Sequence, residues 1–344
     1  MKYSRRDLPN ARAARACVLF PGALGDFVCF LPALQRLAQQ MPLDLFARLE
    51  YADLVSPAIK VRSRESAQIA GLFVEGGVEE RGLQQFFSAY RTIYSWMGSG
   101  VAVFVRQLEQ VAPQAAFIFP FRPLDPAQHQ MDHYLSCVGS FSSQTQGVSV
   151  VSLMPQALAW CDEFAARHRL CDTPVLVMAP GSGAMEKNWP MSGFCQVAQW
   201  WRREKHGKVL ALIGPVEVER GGVADLQSET LALRDLTLAQ CAALLSRCQL
   251  YLGNDSGMTH LAAAAGVPTM ALFGPSNRTQ WSPRGRSVTV ISSSLACSPC
   301  TTSVMKSCPH RNCMTTLSAD SVIRQLERIP EVVTLTRWGV GIRV

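Results

Sequence analysis

The sequence of 344 residues contains no long apolar run, since none of its hydrophobic stretches approaches the roughly 20 residues of a membrane-spanning helix. It also has no internal repeat at a solenoid period. A basic N-terminal stretch precedes the apolar residues Ala16–Phe20, as in a signal peptide, but Pro21-Gly22 and Asp26 interrupt the run and no clean cleavage site follows. We therefore interpret Ala16–Phe20 as a first β-strand and expect a cytoplasmic chain.

Charge is sparse but unbalanced. Charged residues make up 17% of the chain and hydrophobic residues 48%, which is typical of a globular protein with enough mass for two cores. The formal net charge of +7 favours an anionic ligand or a membrane surface, and does not require nucleic acid.

Cysteine is abundant, with twelve residues, eight of them scattered through predicted core and helix positions as reduced, small hydrophobic side chains. The other four form a C-terminal group, separated by two, seven and four residues: Cys297, Cys300, Cys308 and Cys313. Four thiolates at such spacing could hold a metal ion, which would suggest a metal-stabilised nucleic-acid-binding or scaffold protein with a Rossmann-like core. However, Thr301–Arg311 has little basic and aromatic interleaving. We therefore predict no metal-centred function and leave open whether the four cysteines hold a structural metal ion.

The segment Leu250–Pro275 is the most informative part of the sequence. It predicts a buried strand over Leu250–Leu252, a polar turn, a helix over roughly Met258–Ala265 and a further strand over Thr269–Phe273. A loop at the carboxyl end of a strand, followed by a helix N-terminus, favours an anionic ligand. More polar side chains crowd this helix start than a cap requires: Asp255, Ser256, Thr259 and His260. We interpret the loop as a diphosphate site.

The rest of the chain alternates strands and helices in two blocks, which predicts an α/β protein with two parallel-sheet domains, 1–160 and 170–344. The first block has predicted strands Ala16–Phe20, Leu43–Phe46, Arg91–Trp96 and Ala115–Phe119, and helices Phe27–Gln39, Val101–Val111 and His129–Val138. The second has predicted strands Val175–Ala179, Val209–Ile213 and Leu231–Leu233, and helices Met191–Glu204, Glu219–Gln227 and Leu238–Ser246. Ser140–Gly147 has the composition of a surface loop.

Three further loops follow predicted strands. Asp26 stands where the first long helix begins, either as its N-cap or as an ionised carboxylate that could act as a base. Ser182 and Lys187 lie in or after a glycine loop, where they could bind phosphate oxygens. Glu217 could accept hydrogen bonds from ribose hydroxyls, although a carboxylate at a helix start is also common without function.

Several of these motifs carry a family resemblance. APGSG with a downstream K-x-W-P, the block GNDSGMTHLAAAAGVPTMALFGP, and PGALGDFVCFLPAL near the N-terminus are similar to glycosyltransferase family 9, the ADP-heptose:lipopolysaccharide heptosyltransferases. The CSPC motif resembles the C-terminal region of heptosyltransferase-II-like members. The resemblance is dense over residues 174–315 and 16–37 and weak between about 50 and 170.

This resemblance implies a GT-B architecture, in which two Rossmann-like parallel-sheet domains face a central cleft. It implies an inverting transferase that moves a sugar, heptose from ADP-heptose, onto a lipopolysaccharide-core or related glycolipid. Asp26 would be the general base and Lys187 would neutralise the departing diphosphate. The implied donor-binding residues are Ser182, Gly183, Lys187, Glu217, Asp255, Ser256, Gly257, Met258 and His260.

The acceptor side is expected to use Gly25 and three arginines, Arg62, Arg64 and Arg122, which could meet phosphates of an anionic glycolipid. With the basic N-terminus, they favour peripheral contact with the inner membrane surface. The sequence contains no Asp-x-Asp triplet, so we expect metal-independent transfer without a cofactor. The alternatives are a GT-B enzyme that uses a UDP- or GDP-linked sugar, and a sugar-nucleotide epimerase.

Overall fold

The computed structural model describes residues 15–76, 81–113, 115–139, 148–214, 217, 224–293 and 295–329. The basic residues before Arg15, the predicted loop Ser140–Gly147 and the first five residues of the predicted helix Glu219–Gln227 lie outside these ranges.

The first block forms a parallel sheet of five strands in the order β3-β2-β1-β4-β5. The strands are β1 Arg15–Leu19, β2 Leu43–Ala47, β3 Ile59–Ser63, β4 Tyr90–Ser95 and β5 Ala116–Ile118. They are connected by α1 Leu24–Gln40, a 3₁₀ turn Leu49–Leu54, α2 Ala67–Gly71, α3 Arg81–Phe87 and α4 Ala102–Val111. Strand β2 is buried over all five residues, as expected of a parallel strand covered on both faces. Strand β3 was not predicted from the sequence, because its polar residues Lys60, Arg62 and Ser63 leave no apolar run.

The second block forms a parallel sheet of six strands in the order β11-β10-β9-β6-β7-β8. The strands are β6 Val175–Ala179, β7 Lys208–Leu212, β8 Leu231–Leu233, β9 Leu250–Asn254, β10 Thr269–Phe273 and β11 Val288–Ser292. The helices of this half are α5 Gln130–Cys137, α6 Pro155–His168, α7 Met191–Glu204, α8 Ala224–Glu229, α9 Leu238–Arg247, α10 Gly257–Ala265, α11 Arg278–Trp281, α12 Thr302–Ser307, α13 Asn312–Thr315 and α14 Ala319–Leu326. The strand order reverses between β9 and β6, and in sheets of this kind ligands bind beyond the carboxyl ends of the strands at such a point.

The unit around Leu250–Pro275 folds as its sequence indicates. The Ser256 side chain accepts a hydrogen bond from the Thr259 N–H and so caps α10, while Gly266 ends the helix with a φ of 83°. Ala262, Ala263 and Ala264 are buried, which allows the helix to lie close to the sheet. The turn that begins α10 therefore lies at the carboxyl end of β9.

The chain divides into two compact units. One comprises the residues up to Pro21 together with Leu34–Arg122, and the other comprises Gly22–Ala33 together with the residues from Pro123 onward. The start of α1, with Gly25 and Asp26, therefore belongs to the unit that contains β6–β11. The division into 1–160 and 170–344 stays a prediction, as does the cleft. No helix within the described ranges is long and apolar enough to cross a membrane.

His129 caps α5 in a way that requires a neutral imidazole. Its Nδ1 accepts a hydrogen bond from the Met131 N–H at 3.1 Å, and its Nε2 donates to the Ser282 carbonyl oxygen at 2.8 Å. A proton on Nδ1 would face the Met131 N–H and remove the cap. Burial, opposed by the hydrogen bond to Ser282, lowers the pKa of His129 to about 4.

This histidine predicts acid sensitivity. In the unfolded chain His129 titrates near its ordinary pKa, so stability should be lost as pH falls from about 6.5 towards about 4, by roughly 1.4 kcal/mol per pH unit. His129→Asn keeps a capping side chain that does not titrate, so its unfolding free energy should fall less steeply over that range. Urea unfolding at several pH values measures the slopes, with the exposed His310→Asn as the control. Parallel slopes for wild type and His129→Asn would contradict this account.

Candidate active site

The N-termini of helices α1 and α10 meet at the site. A Cβ atom on Gly257 would lie 2.8 Å from Leu24 Cβ and 2.9 Å from the Gly25 nitrogen, and one on Gly25 would lie 3.3 Å from His260 Cδ2. Gly257 therefore has to be glycine for the two turns to approach this closely. Because both helices present their positive ends here, the junction favours an anion.

Lys187 and Asp255 form an ion pair beside this junction. Lys187 Nζ donates to Asp255 Oδ2 at 2.7 Å, with the Lys187 side chain 28% exposed and that of Asp255 8% exposed. Asp255 follows β9 and its backbone N–H donates to the Leu272 carbonyl, so the carboxylate is held by the sheet edge. The ion pair brings together two predicted donor-site residues 68 positions apart in the chain.

His260 is buried in the first turns of α10, with 4% of its surface exposed. Burial lowers the pKa of His260, and nearby Lys187 acts in the same direction, while the carboxylates of Asp255 and Asp26 oppose the shift. At neutral pH the imidazole is therefore uncharged. Its Nδ1 lies 3.6 Å from the Cys29 sulfur atom on α1. No sequence pattern indicated Cys29, because the contact joins residues 231 positions apart.

Asp26 lies in the first turn of α1, two residues after the first helical position. Its Oδ2 accepts a hydrogen bond from the Ala23 N–H at 3.3 Å. The interpretation of Asp26 as the N-cap residue is therefore wrong: Ala23 holds that position, and the Asp26 carboxylate reaches back to it, as the acidic member of a capping box does. The carboxylate is also close enough to His260 to influence its pKa.

Asn254 holds the glycine loop in place. Its side chain accepts a hydrogen bond from the Trp189 N–H at 2.9 Å and donates to the Pro180 carbonyl at 2.6 Å. The buried Ser182 hydroxyl lies 2.6 Å from both the Ala184 carbonyl and Asn188 Oδ1. Sequence reasoning assigned Asn254 only to the turn, although an asparagine that ends a buried strand has to find partners for its amide.

A cavity of about 430 Å³ adjoins this loop and contains five predicted donor residues. Those five are Ser182, Gly183, Glu217, Ser256 and Met258. Much of the remaining lining is apolar and comes from the ends of β7 and β8 and the start of α9: Leu212, Ile213, Leu233, Leu236, Leu238 and Cys241. Such a lining suits the face of an aromatic base.

The Glu217 carboxylate lies between two glycines. The Gly214 N–H donates to Glu217 Oε2 at 2.9 Å, and a Cβ on Gly181 would lie 1.8 Å from Oε1. Both carboxylate oxygens therefore occupy space that a side chain at Gly181 or Gly214 would fill.

The predicted acceptor residues make different contacts. Arg62 Nε donates to Asp44 Oδ2 at 2.7 Å, Arg64 donates to the Pro21 carbonyl, and the exposed Arg122 lies 4.3 Å above the Phe121 ring. Gly25 lies at the junction with Gly257 described above. The acceptor-binding role of all four residues stays a prediction.

Of the four C-terminal cysteines, Cys313 lies in α13, Cys308 follows the last residue of α12, and Cys297 and Cys300 lie in the loop before α12. The described residues contain no group of three or more His, Cys, Asp or Glu side chains arranged to hold a metal ion. Burial raises the pKa of Cys300 and of Cys313, while backbone hydrogen bonds from Arg311 and His310 lower that of Cys308. Cys297, Cys300 and Cys308 nevertheless lie close enough to Cys313 to raise its pKa, and a metal held by these four thiols stays an untested alternative.

Comparison with known proteins identifies the class. The model of glycosyltransferase family 9 (heptosyltransferase) matches residues 109–309, which is more than half of the chain. The chain therefore belongs to glycosyltransferase family 9, and the resemblance carried by the sequence motifs is confirmed.

Individual relatives agree with this assignment. The chain is 30% identical to lipooligosaccharide heptosyltransferase 2 of Campylobacter jejuni over 165 residues, 45% of this chain and 50% of the relative. It thus spans about half the length of this curated relative. A family 9 glycosyltransferase structure from Veillonella parvula superimposes with a TM-score of 0.71 at 20% identity, covering 92% of this chain and 97% of the other. The structure of Escherichia coli heptosyltransferase WaaC with ADP gives a TM-score of 0.61 at 17% identity, covering 91% and 99%. The α/β fold with two parallel sheets, the GT-B architecture of these neighbours, is confirmed.

Proposed function

We propose that the protein is an inverting heptosyltransferase that moves heptose from ADP-heptose to a lipopolysaccharide-core or related glycolipid acceptor. The observation that carries the proposal is the convergence of Lys187, His260 and two helix N-termini beside an apolar cavity. A nucleoside diphosphate needs both parts: apolar walls for its base and positive charge for its phosphates. The family membership and the names of the relatives support heptose as the transferred sugar.

The proposed reaction is a single displacement. The Asp26 carboxylate takes the proton of an acceptor hydroxyl, the hydroxyl oxygen forms the new bond to the anomeric carbon, and the bond to the ADP oxygen breaks on the opposite face. Negative charge develops on the leaving diphosphate. Lys187 and the start of α10 stabilise it electrostatically, and His260, being uncharged, contributes an N–H donor without adding a full charge.

The donor assignment predicts nucleotide selectivity. Isothermal titration calorimetry with ADP, UDP and GDP should show the tightest binding for ADP, because ADP-heptose is the proposed donor. Glu217→Gln should weaken ADP binding if its carboxylate accepts ribose hydroxyl hydrogen bonds, whereas the exposed Glu327→Gln should not. A clear preference for UDP would contradict ADP-heptose as donor and leave the fold assignment intact.

We also propose that transfer does not need a metal ion, because Lys187 and the helix N-termini can stabilise the charge of the leaving diphosphate as a bound Mg²⁺ would. Activity should be retained when protein dialysed against EDTA is assayed in buffer treated with a chelating resin. Loss of activity that added Mg²⁺ restores would contradict this part of the proposal.

The acceptor and location form the last part of the proposal. A net charge of +7 supports an anionic glycolipid acceptor and peripheral contact with the cytoplasmic face of the inner membrane. Sedimentation with vesicles that contain phosphatidylglycerol, compared with pure phosphatidylcholine, tests the membrane contact.

A further inference from the structure

A cationic pocket lies in the first unit, at the amino-terminal end of its sheet. Its cavity of about 410 Å³ is lined by Arg15, Asp44, Lys60, Arg62, Phe86, Ala89 and Tyr90. Ligands of open α/β sheets generally bind at the opposite, carboxyl edge, so the proposed donor site does not account for this pocket, although Arg62 in its lining is one of the predicted acceptor residues.

The pocket is built around one buried carboxylate. Asp44 Oδ1 accepts a hydrogen bond from Arg15 Nε at 3.0 Å, and Oδ2 accepts from Arg62 Nε at 2.7 Å and from the Tyr90 hydroxyl at 3.0 Å. Burial alone would raise the pKa of Asp44, but these hydrogen bonds outweigh it and lower the pKa. Both carboxylate oxygens are therefore occupied, and Asp44 serves to orient the two guanidinium groups.

Positive charge exceeds negative charge here. Asp44 alone among the lining residues is acidic, whereas Arg15, Lys60 and Arg62 are cationic. The side chains of Arg15 and Arg62 remain 36% and 39% exposed. Within the described part of the chain, the Lys60 side chain makes no ion pair or hydrogen bond, and the two terminal nitrogens of Arg62 donate to no protein acceptor.

The chemistry of these donors defines the ligand class. Guanidinium groups whose orientation is fixed by a carboxylate lose little entropy on binding, and their planar donors match the oxygens of a phosphate. The lysine adds a compact charge, and the Phe86 and Tyr90 rings, 5.7 Å apart between centroids, supply an apolar wall. We propose that this pocket binds a phosphate group, carried either by a membrane lipid or by a small phosphorylated compound.

Lys60 allows a clean test, because it is exposed and does not touch Asp44 in the described contacts. In calorimetric titration with inorganic phosphate, Lys60→Gln should weaken binding about tenfold and Lys60→Glu by more. Lys306→Glu makes the same charge change on an exposed helix of the other unit and should leave phosphate affinity unchanged. Lys187→Ala should retain this binding event, which separates it from phosphate bound at the donor site. Thermal melting measures whether the Lys60 variants are folded.

A second arm distinguishes the two sources of phosphate. The same variants are sedimented with vesicles of phosphatidylcholine that contain or lack phosphatidic acid. Loss of vesicle binding in the Lys60 variants but not in Lys306→Glu identifies a lipid phosphate, whereas loss confined to the calorimetric titration identifies a free phosphorylated compound. Equal phosphate and vesicle binding by wild type and both Lys60 variants overturns the proposal.

Discussion

Asp26→Asn is expected to lower kcat for sugar transfer by about 10²- to 10⁴-fold, because the carboxylate is the proposed base and an amide cannot accept the acceptor's proton. Binding of ADP should be unchanged, since the cavity, Lys187 and the α10 N-terminus all remain. Steady-state kinetics with ADP-heptose and a glycolipid acceptor, together with ADP calorimetry, measure the two effects separately.

A purely structural role predicts a different result. Asn keeps an oxygen that can accept the Ala23 N–H hydrogen bond, so the unfolding free energy should change by less than about 1 kcal/mol. Asp320→Asn is the matched control, because Asp320 is also an aspartate in the first turn of a helix, α14. If folded Asp26→Asn turned over as fast as Asp320→Asn, the base would have to be another residue.

Lys187→Ala should weaken ADP binding by about 10- to 100-fold and reduce kcat by about 10²-fold or more, because its charge is directed at the diphosphate in both the bound donor and the transition state. The exposed Lys306→Ala is the control for removal of a lysine. Lys187→Ala also leaves the Asp255 carboxylate, which is 8% exposed, without its ion-pair partner at 2.7 Å. Some loss of stability is therefore expected as well.

A double variant separates these two effects. Lys187→Met combined with Asp255→Asn removes both charges and so relieves the unpaired carboxylate. If Lys187 acts only by holding Asp255, the double variant should regain kcat and ADP affinity. If Lys187 neutralises the leaving group, the stability of the double variant should recover while its kcat and its ADP affinity remain low. Recovery of full turnover would exclude the proposed role of Lys187.

Much of the second sheet could be predicted from sequence because its strands are short apolar runs ended by glycine or polar residues. The loop before α10 and the glycine loop after β6 follow buried strands, and parallel strands bring their carboxyl ends to one edge. β3 and β11 were missed because their residues alternate and are only partly buried, so neither forms a continuous apolar run.

Contacts between residues far apart in the chain could not be predicted in the same way. The Asp44 carboxylate that engages Arg62 and the Cys29 sulfur beside His260 depend on how distant segments pack, and a single sequence carries no local signal for such pairs. Arg62 was therefore interpreted as an available surface charge, although in the fold it is already held by a carboxylate. The position of Asp26 within its turn was misjudged because the helix begins at Leu24, three residues earlier than its apolar spacing indicates.

The junction of Gly25 with Gly257 also constrains the order in which parts of the chain can fold. Side chains that meet beside it, Cys29 and His260, are 231 positions apart, so the site closes a loop of most of the chain. During synthesis the five-stranded sheet has all its strands long before β9 and α10 leave the ribosome. The start of α1 can therefore contact α10 only after β9 and α10 have been synthesised. We expect the candidate active site to form late in folding.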